Sequence, residues 1–163
     1  VSVFSDLIAE ELGYDAGSRR MLRRAALLHD IGKLAVSNAI LDKPAKLTEE
    51  EFAAVKMHPV HSGEILRGVS LFGEIAPIAE GHHERLDGKG YPRGLKGDEI
   101  GRDTRIVTVA DIFDALTADR PYRKAMTVSQ ALAILDKDVG TAVDGGCLAA
   151  LKRALARAER EAA

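Results

Sequence analysis

The run LLHDIGK at residues 27–33 ends an apolar helical face with a His-Asp doublet and a glycine that stops the helix. Adjacent helical residues point about 100° apart, so His29 and Asp30 are expected to flank one buried point. An imidazole beside a carboxylate suits a divalent first-row metal ion, and Lys33, one turn beyond His29, is placed to meet an anion bound there. The same doublet is also typical of a capped surface turn, so the rest of the chain must decide between the two.

The composition favours a single helical domain. The 163 residues are 46% hydrophobic but only 4% aromatic, without tryptophan. This length is sufficient for one domain with a substantial core, and abundant Ala and Leu with few aromatics favour packed helices over a β-sandwich. The formal charge of -2 gives no global basic field to attract duplex DNA or anionic lipid, so a nucleotide partner must be held by local charge.

The cysteine content and the hydropathy predict a cytoplasmic, non-membrane domain. Cys147 is the only cysteine, which excludes an internal disulfide and a thiolate cluster, and it is predicted to be a small buried hydrophobe in a reducing compartment. No apolar run approaches the roughly 18 residues of a membrane span, and no signal-peptide pattern is present. The chain begins within an apparent helix, so we expect residues 1–163 to be one domain of a longer protein.

Capping and breaking signals predict an all-α bundle of about seven helices. Pro44 excludes a continuous helix over 35–46. The glycines at 88, 90, 94 and 97, with Pro92, predict a long loop from Asp87 to Gly101, and loops of this length are usually functional or disordered. The strong apolar periodicity after Thr104 favours a helix over a strand. The predicted helix starts are Val1, Ser18 as an N-cap, Thr48 with a capping box, Pro59, Ile75, Thr104, Thr127 with a second capping box, and Asp144 as the last cap.

Four of the five histidines and two aspartates fall at helix ends or within apolar helical segments. A histidine at a helix end is also accounted for by capping of the last carbonyls. A carboxylate among apolar residues, however, must be paired, hydrogen-bonded or metal-bound. Four imidazoles and two carboxylates without a thiolate suit two neighbouring Fe, Mn or Zn ions better than one structural zinc. The candidate ligands are His29, Asp30, His58, His82, His83 and Asp111.

The remaining polar residues leave alternatives open. His61 lies one turn after His58 and either joins the same site or, as we favour, is a solvated helix residue. The run RPYRK at residues 120–124 is either a solvated basic turn or a source of guanidinium groups for phosphate recognition. With Lys33, the second alternative places an anion pocket beside a dinuclear centre.

The reaction class follows from this arrangement. Two neighbouring ions lower the pKa of a bridging water, hold phosphoryl oxygens and stabilise the leaving oxygen. The sequence contains no nucleophile elbow and no Gly-rich phosphate loop. We therefore expect metal-assisted hydrolysis of a phosphodiester or a phosphomonoester, with a metal-bridging hydroxide as the nucleophile.

These residues closely resemble the HD-GYP family, a subgroup of the HD-domain phosphohydrolases. The resemblance covers nearly the whole chain, and its most specific part is the run at residues 82–92. The matching runs are HDIGK at 29–33, HP at 58–59, HHERLDGKGYP at 82–92, ADIFDALT at 110–117 and RPYR at 120–123.

The resemblance implies a bacterial phosphodiesterase that linearises cyclic di-GMP to pGpG, with GMP as a further product. It implies two divalent ions, Fe or Mn before Zn, Ni or Mg, held by the six candidate ligands named above. Asp30 and Lys33 become the catalytic residues, with Lys33 near the scissile phosphate. Arg120 and Arg123 become phosphate contacts. Tyr91 helps to shape the substrate entrance from the loop Asp87 to Gly101, which contains Gly90-Tyr91-Pro92 and is called the GYP loop below.

The resemblance also implies partners and shows departures. Family members usually carry this domain behind a sensor or receiver domain, and a diguanylate cyclase domain at the GYP loop and a second copy of the chain are further candidate partners. Three-metal members have an additional His and Glu on an earlier-starting first helix and a further ligand where Asn38 stands here, so we predict two metals. The tail at residues 140–146 matches the family only loosely.

Two alternative functions remain open at this point. The first is a generic HD phosphohydrolase acting on a nucleotide monoester or on another cyclic dinucleotide. The second is a binding module in which catalysis has lapsed, although all six candidate ligands are present.

Overall fold

The computed structural model describes residues 1–119 and 124–161, and within these ranges the chain is helical. The predicted all-α bundle is confirmed. Three short 3₁₀ segments, Ile31–Ala35, Ser70–Ile75 and Gly97–Glu99, lie between the α-helices. The α-helices are α1 (Ser2–Glu11), α2 (Ala16–Leu28), α3 (Asn38–Leu41), α4 (Glu49–Lys56), α5 (His58–Arg67), α6 (Ala76–Gly81), α7 (Arg102–Thr117), α8 (Val128–Lys137) and α9 (Gly145–Glu161).

Helix α7 runs through the centre of the bundle. It packs against α1, α2, α6, α8 and α9. Ile106, Val107, Val109, Ala110 and Phe113 are all buried, and together they face several directions around the helix. A helix that is apolar on several sides belongs inside a bundle, and the structure places α7 there. Because α7 is central, a polar residue on it lies close to the ends of the surrounding helices.

The helix caps confirm most of the predicted boundaries. Thr48 and Thr127 each form a complete capping box, in which the Thr hydroxyl and the side chain three residues later bond each other's backbone N–H groups. Asp144 accepts a hydrogen bond from the Cys147 amide at 2.9 Å and so caps α9. These local signals were readable because a cap acts within one helical turn.

The predicted Ser18 N-cap is wrong. Helix α2 begins at Ala16, and its cap is Asp15, whose Oδ1 accepts hydrogen bonds from the amides of Gly17 at 2.7 Å and Ser18 at 3.1 Å. Ser18 instead donates its hydroxyl proton to Asp15 Oδ2 at 2.7 Å. An ionised Asp accepts more strongly than a hydroxyl and also interacts favourably with the helix dipole, so it starts the helix three residues earlier.

The irregular segments follow the sequence closely. After the 3₁₀ segment ends at Ala35, residues 36–46 contain only the single turn α3, capped by Ser37, and no helix continues through Pro44. The long loop from Asp87 to Gly101 has one short 3₁₀ segment, Gly97–Glu99. In the described part of the chain, no helix is long and apolar enough to cross a bilayer.

Cys147 behaves as predicted. It is buried in the core, and this burial raises the pKa of its thiol to about 12. The thiol is therefore protonated at neutral pH and acts as a small hydrophobe.

Candidate metal centre

The HD segment, residues 29–33, packs against α5 with its backbone unusually close to that of the helix. A Cβ atom on Gly32 would lie 2.0 Å from the carbonyl oxygen of His58 and 2.4 Å from the amide nitrogen of Ser62. The Gly32 amide donates to Ser62 Oγ at 2.8 Å, and the same hydroxyl donates to the His29 carbonyl at 2.7 Å. Gly32 therefore does not simply stop a helix, as the sequence predicted. It lies inside the 3₁₀ segment Ile31–Ala35 and allows the HD segment to contact α5.

Three imidazoles are oriented by the last turns of the helices that precede them, α2 for His29, α4 for His58 and α6 for His82. In each, Nδ1 lies at hydrogen-bond distance from the backbone carbonyl three residues earlier, in the last turn of the preceding helix. The distances are 2.7 Å for His29, 2.7 Å for His58 and 2.6 Å for His82. A carbonyl can only accept, so Nδ1 carries the proton and a neutral ring keeps its lone pair on Nε2. This arrangement is the usual one for histidines that bind a metal through Nε2.

The three Nε2 atoms converge on the carboxylate of Asp30. Asp30 Oδ1 lies 3.1 Å from His58 Nε2 and 3.8 Å from His82 Nε2, while Oδ2 lies 3.4 Å from His29 Nε2. The Nε2 atoms of His58 and His82 are themselves 3.4 Å apart. The Nε2 lone pairs therefore face the negative Asp30 carboxylate. This arrangement is stabilised by a positive charge bound between these groups.

A divalent metal ion fits this arrangement. Two buried atoms, His29 Nε2 and Asp30 Oδ1, have no hydrogen-bond partner among the described residues. Buried polar atoms are almost always satisfied, so atoms without a partner need an explanation. Ligand atoms of Asp30, His58, His82 and His83 all lie within 4.8 Å of one another. Imidazole nitrogens and a carboxylate are suitable ligands for Fe, Mn or Zn.

Asp111 extends the group towards His29. It lies on the central helix α7, and its Oδ1 is 3.7 Å from His29 Nε2. The structure therefore brings all six candidate ligands together from four parts of the chain. Their role as ligands, and the number of ions, stay predictions.

The protonation states suit a metal. Burial lowers the pKa of His82 well below its usual value and the pKa of His83 to about 4, so both rings are neutral at neutral pH. Burial alone would raise the pKa of the Asp30 carboxyl, but the neighbouring imidazoles and Lys33 hold it well below its usual range. For His29, burial favours the neutral ring, but the Asp30 carboxylate outweighs this effect and raises the pKa. The surroundings of the Asp30 carboxylate therefore favour a bound positive charge.

Cationic and aromatic groups surround the cluster. Lys33 Nζ contacts Asp30 Oδ2 at 2.6 Å. The Tyr91 ring stacks on His83 with 4.8 Å between centroids, and burial raises the pKa of its phenol to about 12. Lys56, which the sequence did not indicate, places Nζ 5.4 Å from the centroid of the Tyr91 ring. Among the described residues, the edge of the cluster therefore offers the ammonium groups of Lys33 and Lys56 and the neutral phenol of Tyr91.

The other predicted site residues are accounted for as follows. His61 Nδ1 lies 3.2 Å from Glu64 Oε2, outside the cluster, as expected for a surface histidine. Asn38 is exposed on α3. Arg120 and Arg123 lie outside the described residues, so their contact with phosphate stays a prediction.

Glu84 is a functional residue that the sequence analysis missed. Its side chain is only 2% exposed, and its two oxygens accept hydrogen bonds from the loop amides of Arg93 at 2.7 Å and Leu95 at 2.9 Å. The loop also approaches closely at Gly90, where a Cβ would lie 2.5 Å from the His83 carbonyl oxygen. A buried glutamate directly after two histidines was the available signal, because a buried carboxylate requires donors.

We expect Glu84→Ala to release the GYP loop. Two partly buried loop amides would lose their acceptor, and each such loss costs up to about 1–3 kcal/mol. The free energy of unfolding should therefore fall by roughly 2–4 kcal/mol, and hydrogen exchange of residues 90–97 should accelerate. Glu84→Gln, which keeps one acceptor oxygen, should be intermediate, and exposed Glu74→Ala should change neither quantity. Unaltered exchange in Glu84→Ala would contradict this role.

Comparison with known proteins agrees with this geometry. The family model described as "HD domain" matches residues 1–146. Because the match covers most of the sequence, the chain belongs to the HD-domain family. The resemblance to HD-GYP proteins predicted from the sequence is confirmed by its relatives and its fold neighbours.

Two curated relatives and one solved structure are particularly similar. The "3'3'-cGAMP-specific phosphodiesterase 3" of Vibrio cholerae is 58% identical over 155 residues, which cover 95% of this chain and 34% of the relative. The "Cyclic di-GMP phosphodiesterase response regulator RpfG" of Xanthomonas campestris is 45% identical over 162 residues, 98% of this chain and 43% of the relative. The solved structure of Bd1817, an HDG"Y"P protein from Bdellovibrio bacteriovorus, has a TM-score of 0.75 at 24% identity and covers 94% of this chain and 49% of that chain.

The last match shows a shared fold. The chain spans between about a third and less than half of the length of the two curated relatives.

Proposed function

We propose that this domain is a metal-dependent phosphodiesterase that opens a cyclic dinucleotide. The observation that carries the proposal is the convergence of imidazole Nε2 atoms on the ionised Asp30 carboxylate, with Lys33 beside it. The group is built from donors for a divalent cation and is bordered by cationic side chains that suit a phosphate. For cyclic di-GMP, the product would be pGpG, with GMP from a second hydrolysis.

Six of the site residues would hold metal ions, and the others would bind the substrate. We assign His29, Asp30, His58, His82, His83 and Asp111 to two divalent ions, Fe or Mn in the first instance. Such ions supply Lewis-acid activation of water and charge neutralisation at the phosphoryl group. The Nδ1–carbonyl hydrogen bonds leave the Nε2 lone pairs of His29, His58 and His82 free to hold such ions.

Contacts with the substrate would come from residues at the edge of the metal cluster. Lys33, which pairs with Asp30, would contact a non-bridging phosphate oxygen of the substrate in the metal-loaded protein. The neutral Tyr91 phenol would donate a hydrogen bond at the entrance. Arg120 and Arg123 would supply guanidinium groups to the phosphates.

The choice between two substrates is part of the proposal. Cyclic di-GMP is the substrate that the HD-GYP resemblance implies, and RpfG is named for it. A relative with 58% identity is instead named as specific for 3'3'-cGAMP, which makes that dinucleotide the second candidate. The two substrates differ in one base, so the same centre would cleave either.

The test is turnover of both dinucleotides by the protein loaded with Mn or Fe(II). Loss of substrate and formation of linear dinucleotide are followed by liquid chromatography, with a chelator-treated sample and a nucleotide monoester as controls. We expect hydrolysis of at least one cyclic dinucleotide that depends on metal. A loaded protein that hydrolyses only the monoester would favour a generic phosphohydrolase, and a protein that binds neither metal nor substrate would favour a lapsed signalling module.

We further propose that the domain acts in the cytoplasm within a longer protein that carries a sensor or receiver domain. The greater length of its relatives supports this proposal. A diguanylate cyclase domain at the GYP loop and a second copy of the chain are proposed partners.

A further inference from the structure

An apolar groove opens directly beside the candidate metal centre. Its volume is about 590 Å³, and Asp30 and Lys33 form part of its lining. It lies between the end of α2, the 3₁₀ segment and α3. The apolar walls are Leu27, Leu28, Ile31, Leu34 and Leu41.

The groove contains apolar surface that folding does not bury. Leu34 is 81% exposed and Leu27 is 71% exposed, the two highest values among large hydrophobic side chains in residues 1–119 and 124–161. Isolated exposed apolar residues are common, but a contiguous group that lines a concavity usually marks a binding site. Neither residue belongs to the predicted metal site, so the centre alone does not account for them.

We infer that this groove receives one nucleobase of the substrate. The inference rests on the proposed function. Asp30 and Lys33 line the groove, so a phosphate held at Lys33 would place an attached nucleoside at its mouth. A purine has two apolar faces and needs walls of this kind, while its sugar and phosphate remain beside the charged residues. The leucines would therefore contribute affinity through the base, and the metal centre would act on the phosphodiester.

The size and position of the groove favour a small ligand over a protein partner. Pockets for small molecules usually measure about 300–1,000 Å³, and this groove falls within that range. A stable protein interface needs roughly 800 Å² from each partner. A protein seated here would also cover Lys33 and Asp30, and so block the centre that the substrate must reach.

The test compares binding of a ligand with bases to binding of a ligand without them. Leu27→Ser/Leu34→Ser changes two exposed side chains, so folding should be preserved. Isothermal titration calorimetry of the Mn-loaded protein would use a slowly hydrolysed phosphorothioate analogue of cyclic di-GMP. The Kd should rise about tenfold, as expected for the loss of apolar contact between the leucines and one base. The Kd for inorganic phosphate and the metal content should stay unchanged.

Leu71→Ser is the matched control, because Leu71 is 63% exposed and does not line the groove. It should leave both Kd values unchanged. An unchanged Kd for the analogue in the double variant would overturn the inference. Equal weakening of phosphate binding would also overturn it, since the leucines would then act through the metal centre. A dimer that dissociates in the double variant, with unchanged analogue binding, would identify the groove as an interface between copies and would overturn it as well.

The outcomes separate this inference from the proposed function. Turnover of cyclic dinucleotides with no effect of the leucine substitutions would reject the groove and keep the function. Binding of the analogue that depends on the leucines, without turnover by the wild-type protein, would reject the catalytic function and keep the groove. If the wild-type protein does not bind the analogue, both are rejected.

Discussion

Replacing Asp30 by Asn is expected to remove bound metal and to lower phosphodiester hydrolysis by at least about a hundredfold. Loss of a partner in the outer shell of a metal site already costs about 10- to 100-fold. Asp30 is closer to the centre, since its oxygens lie within 3.1–3.8 Å of the Nε2 atoms of His29, His58 and His82. An amide has no charge and only one acceptor oxygen. The three imidazoles would therefore lose the negative carboxylate that completes the set of metal ligands.

The measurements are metal content by mass spectrometry and turnover at saturating Mn, with circular dichroism to confirm that the helices remain. Asp136→Asn is the matched control, because Asp136 is 50% exposed and pairs with Lys152 on the surface. It makes the same change of charge and atoms and should have no effect on either measurement. Full metal content and normal turnover in Asp30→Asn would refute the assignment of this carboxylate to the metal centre.

Replacing Gly32 by Ala is expected to destabilise the fold and the metal centre together. The new Cβ would lie 2.0 Å from the His58 carbonyl oxygen and 2.4 Å from the Ser62 amide nitrogen. Both are backbone atoms, so no side-chain rotation relieves the clash. The HD segment would have to move away from α5 and lose both hydrogen bonds of the Ser62 hydroxyl. We expect unfolding to become easier by about 2 kcal/mol or more, and metal affinity to fall because Asp30 moves away from His58.

Thermal unfolding should show a Tm lower by roughly 4–8 °C for a 2 kcal/mol loss in a domain of this size. Gly73→Ala is the control, because a Cβ there meets nothing within 4 Å. Ser62→Ala should show a smaller loss, since it removes the bridging hydroxyl without adding a clash. A Gly32→Ala variant that retains the wild-type Tm and metal affinity would show that the close approach does not support the centre.

The histidines show what the sequence can and cannot predict. From sequence, capping of a helix end and binding of a metal are alternative explanations for His29, His58 and His82. In the structure the two are compatible, because Nδ1 caps the last turn while Nε2 remains available. Sequence reasoning identified the residues because their position at helix ends is a local property. Whether their Nε2 atoms meet depends on how the helices pack, which only the structure reveals.

Long-range contacts between side chains and backbone were missed for the same reason. Ser62 bridges to His29 and Gly32 across about thirty residues, and Glu84 holds the amides of Arg93 and Leu95. Neither residue repeats with a period or sits in a recognisable cap. The misplaced N-cap at Ser18 has a different cause, since Asp15 and Ser18 are both good caps and the charged one is preferred.

The helix-end histidines also determine how the centre responds to motion. Each ring is oriented by one carbonyl in the last turn of the helix that precedes it, so its direction is set locally, and tertiary packing brings the three turns together. If one of these turns frays, its imidazole loses the carbonyl that orients it, while the other two imidazoles keep their orientation. The centre would then lose one histidine while the other two stay in place. A local disturbance of α2, α4 or α6 would be sufficient to weaken metal binding.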